Sequence, residues 1–404
     1  MAGEEPLLFE GLKVVDAGSW IAGPVSATML ADFGADVVKV EMPGDGDPYR
    51  RLALAPATPN ADINYAWAQD ARGKRSITLN VKAPEGQEVL KRLVAACDVY
   101  VTNYPLHMRR RLGLTYEDLK PINPRMIYAS LTAYGEQGPE KDREGFDLVA
   151  YWSRSGLMDV VRSPGAQPAP SLPGMGDHPT AVALYAGIVT ALLHRERTGE
   201  GGMVHTSLIA NGVWAASCIA AARFAHGSDF SNYPNPSARP FTRELYETAD
   251  GRWLQFTMVR SDEETARLLD VLGAAALMAE PRYASQESRL AHATEIAAKL
   301  RPIVSRQSAA HWLAALAEAA VPVSMVGKID DLASDEQLTA NNVVMPPVDD
   351  IAADYVINHP VNVDAVPRRG IRRAPEPGEH TDAVLAELGF DSETVADYRA
   401  RGIV

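Results

Sequence analysis

Between Leu12 and Glu41 the chain passes from a β-branched run to a helical stretch and into a second β-branched run, and this unit constrains the fold more than any other feature. Leu12-Lys13-Val14-Val15-Asp16 predicts a strand, Val25 to Phe33 a helix that Gly34 stops, and Asp36 to Glu41 the next strand. Two strands joined by one helix lie parallel, because the helix returns the chain to the edge of the sheet where it began. The pattern recurs with Ser76–Asn80, Pro84–Ala95 and Asp98–Thr102, and again with Tyr116–Lys120 and Met126–Ser130. An α/β fold follows, with a mostly parallel sheet covered by helices on both faces.

Beyond this alternation, residues 142–176 are rich in proline and glycine without periodicity and predict a loop that ends at Asp177. A long helix from near Pro179 ends at Thr198-Gly199-Glu200-Gly201-Gly202, Met203–Leu208 predicts a strand, and a helix runs from Asn211 to about Ala225. Residues 227–240 carry Ser, Asn and Pro and predict a linker. A hairpin at Glu244–Thr257 and helices at Ser261–Leu272, Ser285–Ile303 and Ala309–Ala320 predict a smaller α+β unit. Val321-Pro322-Val323 is extended, Asp330–Leu338 a short helix, Val361–Val366 a last strand and Thr381–Leu388 a last helix. A chain of 404 residues suits two such units. The expected division is a large domain over 1–226, a linker over 227–243, a small domain over 244–320, and a return linker with the C-terminal part of the large domain over 321–404.

The net charge of −13 disfavours nucleic acid as a partner. Only Cys97 and Cys218 are cysteines, so neither a disulfide framework nor a thiolate metal site is expected, and a reducing, cytoplasmic setting fits. The acidic start of the chain does not read as a leader, and the most apolar stretch, Ala181–Leu193, is shorter than the ~20 residues that span a bilayer. No membrane partner is expected.

Gly18 and Gly23 lie between a strand and a helix N-terminus, where backbone N–H groups favour an anion, and Glu41 ends the next strand. The three-glycine dinucleotide fingerprint is missing, so the local reading is a glycine turn and a solvated Glu41. Arg72-Gly73-Lys74-Arg75 and Arg109-Arg110-Arg111 are cationic islands that fit either phosphate groups or nearby acids. In Gly176-Asp177-His178-Pro179-Thr180, the aspartate fits a helix cap. An ionised carboxylate at that place also fits a nucleophile toward an activated acyl group.

Taken in order, these segments resemble the family III CoA-transferases, which include the formyl-CoA:oxalate and carnitine CoA-transferases and the α-methylacyl-CoA racemases. The resemblance rests on Gly23-Pro24, Ala31–Glu41, Lys74-Arg75-Ser76, Asn103-Tyr104, Gly113, Asn123-Pro124-Arg125, Gly176-Asp177, Thr198–Gly201, Asp250-Gly251-Arg252, Val321-Pro322 and Gly378-Glu379-His380-Thr381. It implies a nucleotide-binding-like large domain built from both chain ends, an inserted small domain, and two subunits interlocked as rings in a homodimer. It implies coenzyme A as co-substrate at the first βα turn, acyl-CoA and carboxylic acid substrates, and no tightly bound cofactor or metal. Lys74, Arg75 and Arg111 would face the CoA phosphates, with Asn103, Tyr104 and Tyr134 as further CoA-binding residues and Asp177 as nucleophile.

Two departures stand out. The racemases carry Gly-His-Asp where this chain has Gly145-Phe146-Asp147, and phenylalanine cannot exchange a proton. Met42 stands where many relatives have arginine. The expected activity is therefore CoA transfer through aspartyl anhydride and aspartyl-CoA thioester, with a racemase or a CoA-binding subunit of a heteromeric transferase as alternatives; His178 and His205 are the remaining proton donors a racemase could use.

Overall fold

The computed structural model describes residues 6–56, 58–163, 165–226, 239–349 and 351–404. The chain runs through β1 (Lys13–Asp16), α1 (Ala22–Asp32), β2 (Asp36–Glu41), α2 (Tyr65–Asp70), β3 (Arg75–Thr78), α3 (Pro84–Ala96), β4 (Val99–Thr102), α4 (Leu106–Leu112), α5 (Tyr116–Leu119), β5 (Ile127–Thr132), α6 (Leu157–Val160), α7 (Asp177–Thr198), β6 (Gly202–Ser207) and α8 (Leu208–Ala215). The six strands form one parallel sheet in the order β3-β2-β1-β4-β5-β6.

Side chains alternate between the two faces because successive strand residues point to opposite sides. Val14, Val37, Val99 and Ile127 pack with residues of α1 and α7 on one face. Val15, Val38, Tyr100 and Tyr128 pack with residues of α3 and of a C-terminal helix, Thr381–Glu387, on the other. In this strand order the first strand sits beside the fourth at the centre, and the chains leaving them diverge at the carboxyl edge, where open α/β sheets leave their crevice. The turns after β1, β4 and β5 meet there. The helix α7 leads into β6 and so runs against the strands, which brings its N-terminus and Asp177 to the same edge.

The end of the chain closes the outer edge of β3. His380 N donates to Ser76 O at 2.8 Å, Thr78 N to Thr381 Oγ1 at 3.1 Å, and Asn80 N to Ile403 O at 2.7 Å.

Two compact units divide the chain: residues 1–159, 169–221 and 336–404 make one, and residues 160–168 and 222–335 the other. The second has its own core, including Phe241, Tyr246, Leu254, Leu268, Leu300 and Leu316, and a three-stranded antiparallel sheet of Tyr246–Glu247, Trp253–Gln255 and Ser324–Met325. Most of the expected linker, residues 227–238, lies outside the described residues. Its last part does not behave as a linker, since Phe241 is buried and accepts a hydrogen bond from the Tyr246 hydroxyl at 2.7 Å.

Other expectations need correction. Residues 142–176 contain a π-helix, Leu148–Ser153, with Tyr151 and Trp152 buried; the wider π repeat leaves no 3.6-residue signature. The expected helix at Ser285–Ile303 is two helices, Gln286–Ala291 and Ala293–Val304, interrupted at His292. Residues 361–366 form no strand: Val361 and Val366 pack against the core that α1 and α7 share with one face of the sheet, and the Val366 N–H closes a turn on Val363 O. Val356–Ile357 is the extended segment there, paired with Val344–Met345.

Candidate active site

The turn after β1 is held from beneath by two buried lysines and two buried aspartates. Asp16 accepts from Lys74 Nζ at 2.8 Å and from Gly18 N at 3.1 Å, and Lys39 Nζ lies 3.8 Å away. Lys39 Nζ also meets Asp47 at 2.8 Å and donates to Gly18 O at 2.5 Å, while Lys74 Nζ donates to Pro24 O at 2.7 Å. Burial opposes the charge of Asp16, but the two ammonium groups hold its carboxyl below the usual range. From above, Asn103 accepts from Ser19 N at 2.8 Å and donates to Ser19 O at 2.6 Å. Asp47 takes the Trp20 N–H at 3.0 Å, fixing Trp20 at φ +66°, a left-handed conformation that costs an aromatic residue free energy.

Glu41 is buried rather than solvated. It accepts both Nε and Nη2 of Arg50 at 2.7 Å, Ser76 Oγ at 2.6 Å and Asp47 N at 2.8 Å, which leaves no lone pair directed at a ribose.

The cationic islands divide sharply. Arg72 pairs with Asp32 at 2.8 Å, and the Lys74 ammonium is enclosed as described. Arg75 bridges Asp36 at 2.6 Å and Glu387 at 2.7 Å from the first residue of β3, at the amino edge of the sheet and away from the crevice. Arg109 binds Glu136 at 2.9 Å, and Arg110 lies 3.7 Å from Asp142. Arg111 is exposed and makes no hydrogen bond or ion pair among the described residues. Lys74 and Arg75 thus serve the fold in this chain, and the phosphate expectation passes to Arg111.

Tyr104 follows Asn103 at the end of β4, its N–H on Thr102 Oγ1 at 3.2 Å and its carbonyl on Arg109 Nε at 2.9 Å; burial pushes its phenol up. Tyr134, after β5, lies under the Arg143 guanidinium at 5.1 Å. Glu136 is tied to Ser130 as well as to Arg109.

Asp177 is the first residue of α7, not its cap. Gly176 occupies the cap position, and a Cβ there would lie 2.6 Å from Tyr151 Cγ and 2.9 Å from Asp147 Cβ, so only glycine fits. Asp147 Oδ2 accepts the Gly176 N–H at 3.0 Å. The Asp177 carboxylate accepts no hydrogen bond among the described residues and remains partly accessible. Burial, then the charge of Asp147, then that of Asp70, raise its pKa from an ordinary 3.8 to about 7, while His178 works in the opposite direction. A helix N-terminus favours an ionised aspartate, and here desolvation and two like charges act against it.

His178, the next residue, is half-exposed and places Nε2 3.0 Å from Asp70 Oδ1 and Nδ1 2.9 Å from Gly174 O. The other oxygen of Asp70 accepts the Tyr49 hydroxyl at 2.5 Å. Burial opposes the charge on His178, but the hydrogen bond and charge of Asp70 raise it to about 9. Phe146 sets its ring edge-on to Trp20 at a centroid distance of 5.2 Å. Asp70 and Tyr49 carried no sequence signal, since each lies far from Asp177 in the chain, and Asp147 was visible only as the last residue of a triplet singled out for its phenylalanine.

The carboxyl edge at the switch point of a parallel sheet is where open α/β proteins bind their ligands, and here it carries a carboxylate that accepts no hydrogen bond among the described residues. The sequence pattern of CoA-transferase family III matches residues 9–381, and the chain belongs to that family. It is 31% identical over 401 residues to the (R)-2-hydroxy-4-methylpentanoate CoA-transferase of Clostridioides difficile, covering 98% of this chain and 100% of the relative. It is 32% identical over 406 residues to the succinyl-CoA–L-malate CoA-transferase beta subunit of Chloroflexus aurantiacus, covering 98% and 97%. A crystal structure of a CaiB/BaiF family protein from Brucella suis superposes with a TM-score of 0.85 at 29% identity, over 95% of this chain and 100% of that one.

Proposed function

We propose that this enzyme moves CoA from an acyl-CoA thioester to a carboxylic acid with Asp177 as nucleophile. The observation that carries this reading is the Asp177 carboxylate, seated at the N-terminus of α7 on the crevice rim without a hydrogen-bond donor among the described residues. Free lone pairs make it the carboxylate best able to attack there, because Asp70, Asp147 and Glu136 each accept hydrogen bonds.

Asp177 attacks the thioester carbonyl, the C–S bond breaks, and CoA thiolate leaves an aspartyl-acyl anhydride. The thiolate attacks the aspartyl carbonyl and expels the donor acid, giving aspartyl-CoA thioester. The acceptor carboxylate attacks that thioester to form a second anhydride, and the thiolate then takes the new acyl group and regenerates Asp177. No net proton is taken up or released. Donors are needed for the oxyanions; in the turn after β1 the N–H groups of Gly18, Ser19 and Trp20 are already given to Asp16, Asn103 and Asp47, which leaves the Ile21 N–H as the amide of that turn with no acceptor among the described residues.

CoA lies, in this reading, over the turn after β1 and beside Asn103, Tyr104 and Tyr134, with Arg111 toward its phosphates, in an interlocked homodimer with a large domain formed by both chain ends. The 78% exposed Trp214 on α8 fits burial by a second subunit. Both relatives named above carry a 2-hydroxy acid in their names, so 2-hydroxy carboxylates head the acceptor series to be tried. Mixing the enzyme with acyl-CoA and carboxylate pairs, and following CoA exchange beside α-deuterium incorporation, separates a transferase from a racemase and from a non-catalytic CoA-binding chain.

A further inference from the structure

The ring of His178 is held between two groups that can only accept hydrogen bonds. A backbone carbonyl, Gly174 O, faces Nδ1 at 2.9 Å, and the Asp70 carboxylate faces Nε2 at 3.0 Å. A neutral imidazole has one N–H and would turn a lone pair against one of these acceptors, whereas an imidazolium satisfies both. Asp70 is itself kept in the acceptor role, because its second oxygen takes the Tyr49 hydroxyl at 2.5 Å. The groups facing this ring come from three places, Asp70 at the end of α2, Gly174 before α7 and Asp177 on α7 itself, with Tyr49 of the turn Pro48–Leu54 bonded to Asp70.

Among the described residues, the other charges acting on Asp177 are negative. Asp147 and Asp70 both oppose its ionisation, and burial removes the water that would relieve it. A nucleophilic carboxylate in such surroundings requires a cation that does not discharge in the working pH range.

Resting on the reading of Asp177 as nucleophile, we propose that Tyr49, Asp70 and His178 form a positioning triad that locks His178 as a permanent imidazolium and so keeps Asp177 in its attacking, ionised form. His178 takes no proton from substrate in this scheme. Its charge offsets that of Asp147 and Asp70, and Tyr49 prevents the Asp70 carboxylate from turning away.

The test is the pH profile of kcat/KM for CoA exchange in the full chain. His178→Gln raises the acidic limb by about one pH unit, which lowers activity about tenfold at pH 6 and within about twofold by pH 8.5, since one unit of pKa is a factor of ten in the ionised fraction. His178→Lys, which restores the charge without the ring, returns the limb toward wild type. Asp70→Asn removes an opposing negative charge together with the lock on His178, so its limb moves in the same direction as in His178→Gln but by less, and the 15N signals of His178 change from a doubly protonated ring at pH 8 to a neutral one. An unmoved limb in His178→Gln, or equal losses at every pH in the Gln and Lys variants, overturns the proposal and leaves His178 a structural residue. Asp177→Asn is measured alongside: exchange surviving in that variant disproves the nucleophile, whereas a dead Asp177→Asn with an unmoved limb in His178→Gln disproves only the triad.

Discussion

Asp147 grips the residue immediately before Asp177: its Oδ2 accepts the Gly176 N–H at 3.0 Å while its Oδ1 accepts Leu148 N at 2.8 Å. One carboxylate thereby ties the π-helix to the start of α7 and also places a negative charge beside Asp177. Asp147→Asn keeps an oxygen for the Gly176 amide but removes the charge. The acidic limb of exchange should then fall by up to about one pH unit, read from kcat/KM between pH 5 and 9.

Replacing Asp177 by Ala or Asn should reduce exchange by at least about 10³-fold, the scale on which nucleophile deletions act. Folding and CoA binding should remain close to wild type. Trapping during wild-type turnover should leave a CoA-sized mass addition on the peptide containing Asp177, and a variant within a few-fold of wild type would remove the nucleophile from this residue.

The same carboxyl links stability to pH. Its pKa in the folded chain is about 7 against an ordinary 3.8, so the unfolded chain loses that proton first and the folded state is penalised. The contribution of the protonated carboxyl is fully present below about pH 4 and is lost as pH rises through 7. Asp177→Asn should therefore raise Tm at pH 8, by on the order of 1 °C for each kcal/mol relieved in a chain of this length. The gain should vanish near pH 4 in a thermal melt series.

Lys74 and Arg111 should part company. Lys74→Met leaves Asp16 buried with half its countercharge and should destabilise the fold by about 3–5 kcal/mol, the cost of breaking a buried pair. Arg111→Ala should leave the melting temperature nearly unchanged. It should weaken CoA more than a truncated pantetheine thioester, which has no phosphates to bind. Equal weakening of both ligands would place Arg111 outside the phosphate contact.

Phe146 bears on the choice between transferase and racemase. Wild-type enzyme in deuterated buffer should release a chiral 2-methylacyl-CoA without α-deuterium and without loss of optical purity. Phe146→His is the smallest change toward α-proton exchange. Deuterium entering at the rate of CoA exchange in wild type would overturn the transferase reading and point to His178 or His205 as the second acid/base.

What could be read from the sequence was local. The strands and the helices of the first three cycles sit within a few residues of their expected places because alternation and glycine stops act over a few neighbours. The lysines show the opposite case. Lys74 looks like any loop cation until Asp16, 58 residues away, is brought beneath it. The pairing of His178 with Asp70 carries no signal in the sequence, because Asp70 lies 108 residues earlier and nothing near either residue marks the pair. The placement of Asp177 as the first helical residue rather than the cap hinged on the close approach of Tyr151 and Asp147 to Gly176, which only packing creates.

The closure of β3 by His380, Thr381 and Ile403 bears on how this molecule is made. During synthesis β1, β2 and β3 emerge early, yet the polar groups along the outer side of β3 find their partners only when residues more than 300 positions later leave the ribosome, as the separation of 303 between Thr78 and Thr381 shows. Through most of translation the nascent sheet offers an open edge to other chains. The step that ends this exposure is the docking of the last segment, so the unfinished chain is open to mispairing at β3 until residues 380–403 are in place.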